Sequence, residues 1–315
     1  MFLFLARRVA LGIAVLLVVS VLTFVLVALT PGNAAESILG ATATPAAVAQ
    51  LMKELNLNQP LPVQYWLWLK DAVGGDFGTS LTTGEPVTQM MASRWQPTLS
   101  LVLLSTLVSV MAGIFLGVVS ALRGGWVARA VDIGGLVAFA IPGFLVGVIL
   151  IYAFALKLRL LPLNGYVPLD EGAGPWLRTL ILPVIALSFG MVGFIAKQVR
   201  QSMTDVMHSE FIFTYVANGF SRRSVTYKHA LRNAVVPATS YIGVQLVSVV
   251  GATVLIETVF AYPGVGSLAV TAATEHDLPV AQAAVLFFTA YVIIVNLVMD
   301  LLYVVLNPKI RMASS

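Results

Sequence analysis

The sequence predicts an all-α integral membrane protein with six transmembrane helices. Composition is the first reason: 59% of the 315 residues are hydrophobic, 10% are charged, and the mean hydropathy is +0.93. A soluble domain carries roughly 25% charged residues. The second reason is the recurrence of apolar runs at Val9–Leu29, Thr98–Leu122, Val131–Leu156, Thr179–Lys197, Ala238–Val259 and Ala281–Leu306. Each is close to the roughly 20 residues that cross about 30 Å of hydrocarbon. Cysteine is absent, which excludes disulfides, thiolate chemistry and Cys-ligated metals.

The first run follows Arg7 and Arg8. It exceeds the apolar core of about 7–15 residues typical of a signal peptide, so it reads as a retained span rather than an export or twin-Arg signal. Thr30 to Pro97 is then the longest segment outside the runs. It should hold an amphipathic helix near Pro45–Leu55 and an interfacial helix over Leu61–Val73, where Tyr65, Trp66 and Trp68 suit the headgroup layer. The glycines of GDFGTSLTTGEPV (Gly75–Val87) read as turn formers. Pro142-Gly143 should kink the third span. Gly113, Gly117, Gly147, Gly190 and Gly193 would let helices approach closely.

Ser209 to Pro237 is the longest polar interruption in the second half. It reads as two short helices broken at Asn218-Gly219, residues that tolerate a left-handed helix end. Ser221 is placed to cap the second helix, and Pro237 marks entry to the next span. Arg222, Arg223, Lys228, His229 and Arg232 make that second helix basic, while Phe211, Tyr215 and Phe220 add an apolar surface. Such a knob suits a soluble partner or, equally on spacing alone, lipid phosphates. With the N-terminus in the cytoplasm, twelve of the 18 basic residues fall inside, including all those of the hairpin, which is the distribution the positive-inside rule favours.

Catalytic signatures are missing from the sequence. It contains no GxxxxGK[ST] loop for ATP, no HExxH metal spacing for its three histidines and no GxSxG nucleophile elbow. The chain therefore reads as a non-enzyme that binds no cofactor or metal itself, and nucleic-acid binding has no support. Ser240, Gln245 and Ser248 on the fifth span, with Glu257 at its outer end, are candidates for a translocation lining. Helix–helix hydrogen bonding explains the three uncharged residues as well. A structural or gating role suits Glu257 better than substrate contact. Asn296 and Asp300, four apart on one helix face, suggest a polar network between helices.

TYVANGFSRRSVTYKHALRNAVVP resembles the EAA-type coupling loop of binding-protein-dependent ABC importer permeases, and more narrowly the dipeptide/oligopeptide/nickel group of the DppB type. Glu210, Phe211, Thr214, Ala217, Gly219, His229, Leu231, Arg232, Asn233, Ala234 and Pro237 match the group's pattern. Phe213, Tyr215, Val216 and Asn218 stand where that pattern usually has Arg, Ala, Arg and Lys. Further likeness lies in Gly75–Val87, Ile141–Pro162, Leu182–Met203, Gly251–Ala272 and the ending NLVMDLLYVVLNPKIR (Asn296–Arg311).

The resemblance implies the type I importer permease fold. Residues 1–97 would form an N-terminal span with a long extracytoplasmic segment, and residues 98–311 a five-helix core with a cytoplasmic coupling loop over 199–236. Implied partners are membrane lipid, a second permease, two cytosolic ATPases holding ATP and Mg, and an extracytoplasmic substrate-binding protein. Segment Thr30–Pro97 is the candidate for docking that last protein, by length and position. Coupling contacts fall to Glu210, Phe211, Thr214, Tyr215, Ala217, Asn218, Gly219, Phe220, Arg222, Arg223, His229, Arg232 and Asn233. The implied location is a bacterial inner membrane, with both termini cytoplasmic. The implied cargo is a short peptide, with nickel chelate, glutathione or haem as alternatives. A stand-alone ion-coupled carrier or channel is the competing class, and it would be expected to show intramembrane acid pairs and repeated broken helices.

Overall fold

A computed structural model describes residues 2–29, 34–40 and 44–306. The regular elements among the described residues are all helices, with one isolated bridge between Thr79 and Pro86. Five helices are long and apolar enough to cross a membrane: α1 (Phe2–Leu29), α5 (Val87–Arg123), α8 (Ala173–Met207), α11 (Leu231–Val259) and α13 (Leu278–Leu306). A sixth span arises if α6 (Gly125–Ala140) and α7 (Gly143–Leu150), with its π-helical continuation Ile151–Lys157, count as one.

That pair departs from expectation. The third run is bent by 94° at Ile141-Pro142, far more than a kink. Pro142 cannot donate a backbone hydrogen bond and pushes Ile141 into an extended conformation (φ −88°, ψ 119°), so the two helices are separate bodies. The second span also begins earlier than its apolar run, at Val87, and passes through Pro97 without breaking. The tail motif beyond Leu306 lies outside the described residues.

Packing divides the chain into two units, Met1–Thr98 with Pro263–Ile293, and Leu99–Tyr262 with Ile294–Ser315. In the first, short helices α2 (Ala34–Leu39), α3 (Pro45–Glu54) and α4 (Leu61–Val73) follow α1. Thr44 caps α3, its hydroxyl accepting from the Ala47 amide at 3.3 Å. α4 lies where the sequence placed it, but it packs along α1: the Tyr65 hydroxyl meets Ser20 Oγ at 2.7 Å and its ring meets Phe24 edge-on at 5.4 Å. Residues 75–87 fold into a tight loop in which the amides of Ser80 and Val87 bond the carbonyls of Glu85 and Gly78. Val87 then joins α12 (Val265–Thr274) and the start of α13 in one apolar cluster.

Asp277 fastens that loop. Its buried carboxylate accepts from the Ser80 hydroxyl, from the Leu81 amide at 3.2 Å and from the Thr82 hydroxyl at 3.2 Å. A carboxylate so enclosed is tolerable because donors surround it.

In the second unit α8 is the spine, with α6, α7 and α11 packed on it. Its apolar window is 61% buried, against 33% or less for the other four spans. Small residues make this possible. A Cβ at Gly193 would sit 2.8 Å from Gly135 Cα, and one at Gly117 would sit 2.7 Å from Ala196 O. Gly113 meets Ile195, Gly147 meets Phe260, and Gly190 meets Ala138 O. All five glycines singled out in the sequence are therefore at close contacts.

Two outcomes test this account. Gly193→Leu should lower the thermal midpoint of the purified protein, overpacking costing about 1–3 kcal/mol, whereas Gly134→Ala, where a Cβ meets nothing within 4 Å, should leave it unchanged. Asp277→Ala should leave the donors of Ser80, Leu81 and Thr82 unmet at about 1–3 kcal/mol, read as faster limited proteolysis within residues 78–87.

Candidate functional site: a hairpin continuous with a span

The polar interruption folds as a hairpin at the end of α8. α9 (Glu210–Ala217) starts after a two-residue turn, with Glu210 in its first turn where a carboxylate complements the helix dipole. It stops at Asn218 because Gly219 takes φ +77°. The Gly219 and Phe220 amides bond back to the Val216 and Tyr215 carbonyls at 3.0 and 3.1 Å, a Schellman closure. Ser221 then caps the next helix, its hydroxyl accepting from the Ser224 amide at 3.3 Å.

The second helix is not separate, contrary to the sequence reading. α10 (Arg222–Ser224) runs through a π turn at Val225–Ala230 straight into α11, and the helix continues past residue 237. A proline at position 237 removes one backbone bond and need not end a helix held by tertiary contacts. The hairpin's second arm and the fifth span are one rod.

A small core anchors the hairpin. Met203 of α8, Ile212 of α9, Val225 and Ala230 of the π turn, and Ala234 of α11 are buried together, with Tyr215 and Ala121 against them. Tyr215 stacks on His229 at 4.1 Å and meets Phe220 edge-on at 5.2 Å; Phe211 adjoins at 6.4 Å. The half-buried Tyr215 and His229 therefore face inward and hold the two arms together. Thr214 and Asn233 spend their donors on the carbonyls four residues back, Glu210 and His229.

The outward face differs from the one expected. Phe213 (64% exposed), Tyr227 (55%) and Val216 (51%) stand out further than Phe211 (39%), and Phe220 remains exposed beside them. Ala217, Arg222, Arg223 and Arg232 are exposed too. Sequence reasoning missed Phe213, Val216 and Tyr227. The signal was present, since Phe213 and Val216 share a helical face, but both were read only as departures from a basic pattern.

The candidate lining residues separate. Gln245 and Ser248 border a cleft of about 310 Å³ with Gly143, Ala186, Gly190 and Ala252. The Ser248 hydroxyl donates to Val244 O at 3.0 Å, leaving its lone pairs toward other groups. The side chain of Ser240 lies outside the described residues. Glu257 is fully buried. Burial pushes the nearby Tyr262 phenol well above its ordinary pKa, with Tyr166 and then the Glu257 carboxylate adding to the rise. On α13, Asn296 is exposed and Asp300 half-buried. An ion pair the sequence reading missed joins Asp132 of α6 to Arg200 of α8; an acid inside an apolar run was the available clue. No group of three or more metal-capable side chains gathers among the described residues.

Comparison with known proteins places this architecture. Residues 109–312 match the family described as "Binding-protein-dependent transport system inner membrane component", and residues 1–102 match its N-terminal counterpart. The chain belongs to this family of transport permeases. A relative in Sinorhizobium fredii, named "Probable peptide ABC transporter permease protein y4tP", is 40% identical over 98% of this chain and 99% of its own. "Glutathione transport system permease protein GsiC" of Salmonella choleraesuis is 36% identical over 95% of each chain. Within the family frame the hairpin is an exposed apolar and basic knob fixed rigidly to a permease span.

Gly219→Ala should strain the hairpin by about 1–2 kcal/mol, because its left-handed backbone disfavours a Cβ, while Gly219→Asn should recover most of the loss. Hydrogen exchange over residues 209–224 reads both effects.

Proposed function

We propose that this chain is one of two permease subunits lining the path of an ATP-driven importer of short peptides in a bacterial inner membrane. Its termini and hairpin face the cytoplasm, where the hairpin sits in a groove of one of two ATPase subunits that hold ATP and Mg. A substrate-binding protein delivers cargo on the other side. The observation carrying this reading is the continuity of the hairpin arm with α11. A partner that moves the knob must move the span, which is the lever that rocking between inward- and outward-open states requires.

Within the knob, Phe213, Val216, Phe220 and Tyr227 fill the partner's groove, since they are the exposed apolar groups. Glu210, Arg222, Arg223 and Arg232 orient it by charge, with Phe211, Thr214, Ala217 and Asn218 at its margin. Tyr215, His229 and Asn233 hold the shape, and Gly219 sets the turn. Gln245 and Ser248 border the solute path. Buried Glu257 acts as a fixed gate element rather than a cargo ligand, and Asn296 and Asp300 serve polar packing. The docking face for the binding protein is the exposed tip Thr83–Pro86, beside which Ser80 and Val87 are buried.

The peptide cargo is inferred from the 40% identical relative, and glutathione is the second reading, from the 36% identical one. A stand-alone carrier accounts for neither the family membership nor the knob.

Affinity purification from membranes should recover ATPase subunits with the wild-type chain; recovery of the chain alone would support the carrier reading. Phe213→Ser combined with Tyr227→Ser should preserve the thermal midpoint yet reduce transport-coupled ATP hydrolysis by tenfold or so, a docking loss of about 1.4 kcal/mol. Unchanged coupling in reconstituted vesicles would refute the docking face. Binding of radiolabelled dipeptides against glutathione by the cognate binding protein separates the two cargoes.

A further inference from the structure

We propose that the polar pocket between α6 and α8, at the hairpin end of α8, seats the headgroup of an aminophospholipid of the phosphatidylethanolamine type. The pocket has a volume of about 460 Å³, within the roughly 300–1,000 Å³ usual for ligand sites. Lys197, Arg200, Gln201, Thr204 and Asp205 share one face of α8 and form one side, and Asp132 of α6 stands opposite.

Charge selects the headgroup. Arg200 and Asp132 neutralise each other as an ion pair. Lys197 and Asp205 have no ion-pair or hydrogen-bond partner among the described residues, so the pocket offers one uncommitted charge of each sign. A purely anionic headgroup would satisfy Lys197 and be repelled by Asp205, whereas a zwitterion satisfies both. The Thr204 hydroxyl donates to Arg200 O at 2.9 Å, which leaves its lone pairs for a ligand. Beside the Asp205 carboxylate, those lone pairs favour a primary ammonium with three N–H donors over a trimethylammonium, which has none.

Depth selects a lipid over a dissolved solute. Between Arg178 and Lys197, α8 carries no charge over roughly 28 Å at 1.5 Å per residue, close to the hydrocarbon thickness of about 30 Å. Lys197 therefore marks the hydrocarbon edge, and Asp205 lies about two turns further out. α6 runs antiparallel to α8, since Asp132 meets Arg200, Gly135 meets Gly193 and Ala138 meets Gly190. Inward from Asp132, α6 exposes Ile133, Leu136 and Phe139, and the first two also line the pocket. An aminophospholipid carries its groups in the same order: ammonium outermost at Asp205, phosphate at Lys197, acyl chains along the apolar face of α6.

The test uses the complete transporter in vesicles of phosphatidylethanolamine, phosphatidylcholine and phosphatidylglycerol in equal amounts, with the lipid retained after detergent extraction counted by mass spectrometry. Phosphatidylethanolamine should be retained several-fold over each of the others. Lys197→Gln with Asp205→Asn, which keeps side-chain size and removes both charges, should abolish that excess at an unchanged thermal midpoint. Asp205→Lys should move the preference to phosphatidylglycerol, a gain that a misfolded protein would not show. A photoreactive diazirine high on the acyl chain should label Ile133 and Leu136 several-fold more densely than the exposed Leu103 and Leu107 of α5. Equal retention of the three lipids, an excess that survives the double variant, labelling no denser than on α5, or cross-linking of the pocket to another protein chain would each overturn the proposal.

Discussion

Helices in lipid gain nothing from burying apolar faces against one another, because the tails they displace are as apolar as the faces. What remains is close approach, and the second unit depends on it. Gly135 and Gly193 bring α6 and α8 to backbone contact, and Gly113 and Gly117 admit Ile195 and Val199 of α8 beside α5. α8 thereby becomes the most enclosed of the spans, and Met203 near its C-terminus is part of the hairpin's core. The knob is thus seated on the most buried span.

The two arms of the hairpin are joined differently to their spans. On the α8 side a short turn at His208-Ser209 separates helices; on the α11 side no break exists. The π turn at Val225–Ala230 matters for that second joint. A wider turn shifts the helical register, which lets Val225, Thr226 and Ala230 face the core while Tyr227 and Lys228 face outward. Tyr215 and His229 then clamp the first arm to this rod through ring contact. A force on Phe213 is carried into α11 through that clamp as well as through the chain.

Much of this was legible in the residues. Composition and run length fixed the helical membrane class, Asn218-Gly219 fixed the turn, and Ser221 the cap, because each rests on local physics. α4 spans Leu61–Val73, the range read from its apolar and aromatic residues. The errors share one cause. Pro142 was read as a kink yet separates two helices at 94°, while α11 runs through position 237, since a proline's effect depends on whether neighbouring helices hold the backbone. Likewise Tyr215 faces inward and Phe213 outward, a matter of which side of α9 meets Met203 and Val225. Long-range pairs leave less to read: an acid inside an apolar run hints that Asp132 has a partner but not that it is Arg200, and nothing local joins Asp277 to Ser80.

The rod's length adds a constraint independent of any partner. From Arg222 to Val259 it measures roughly 57 Å at 1.5 Å per residue, and the hydrocarbon it crosses is about 30 Å thick. A large part of it must therefore stand in or beyond the headgroup layer, and the basic residues Arg222, Arg223, Lys228 and Arg232 put that part at the hairpin end. Near the opposite end, Glu257 is fully enclosed and Ile256 and Phe260 are buried. The rod is nonetheless packed at both ends, by Val225, Ala230 and Ala234 against Met203 at the hairpin and by Ile256 and Glu257 at the other, and the cleft bordered by Gln245 and Ser248 lies between them.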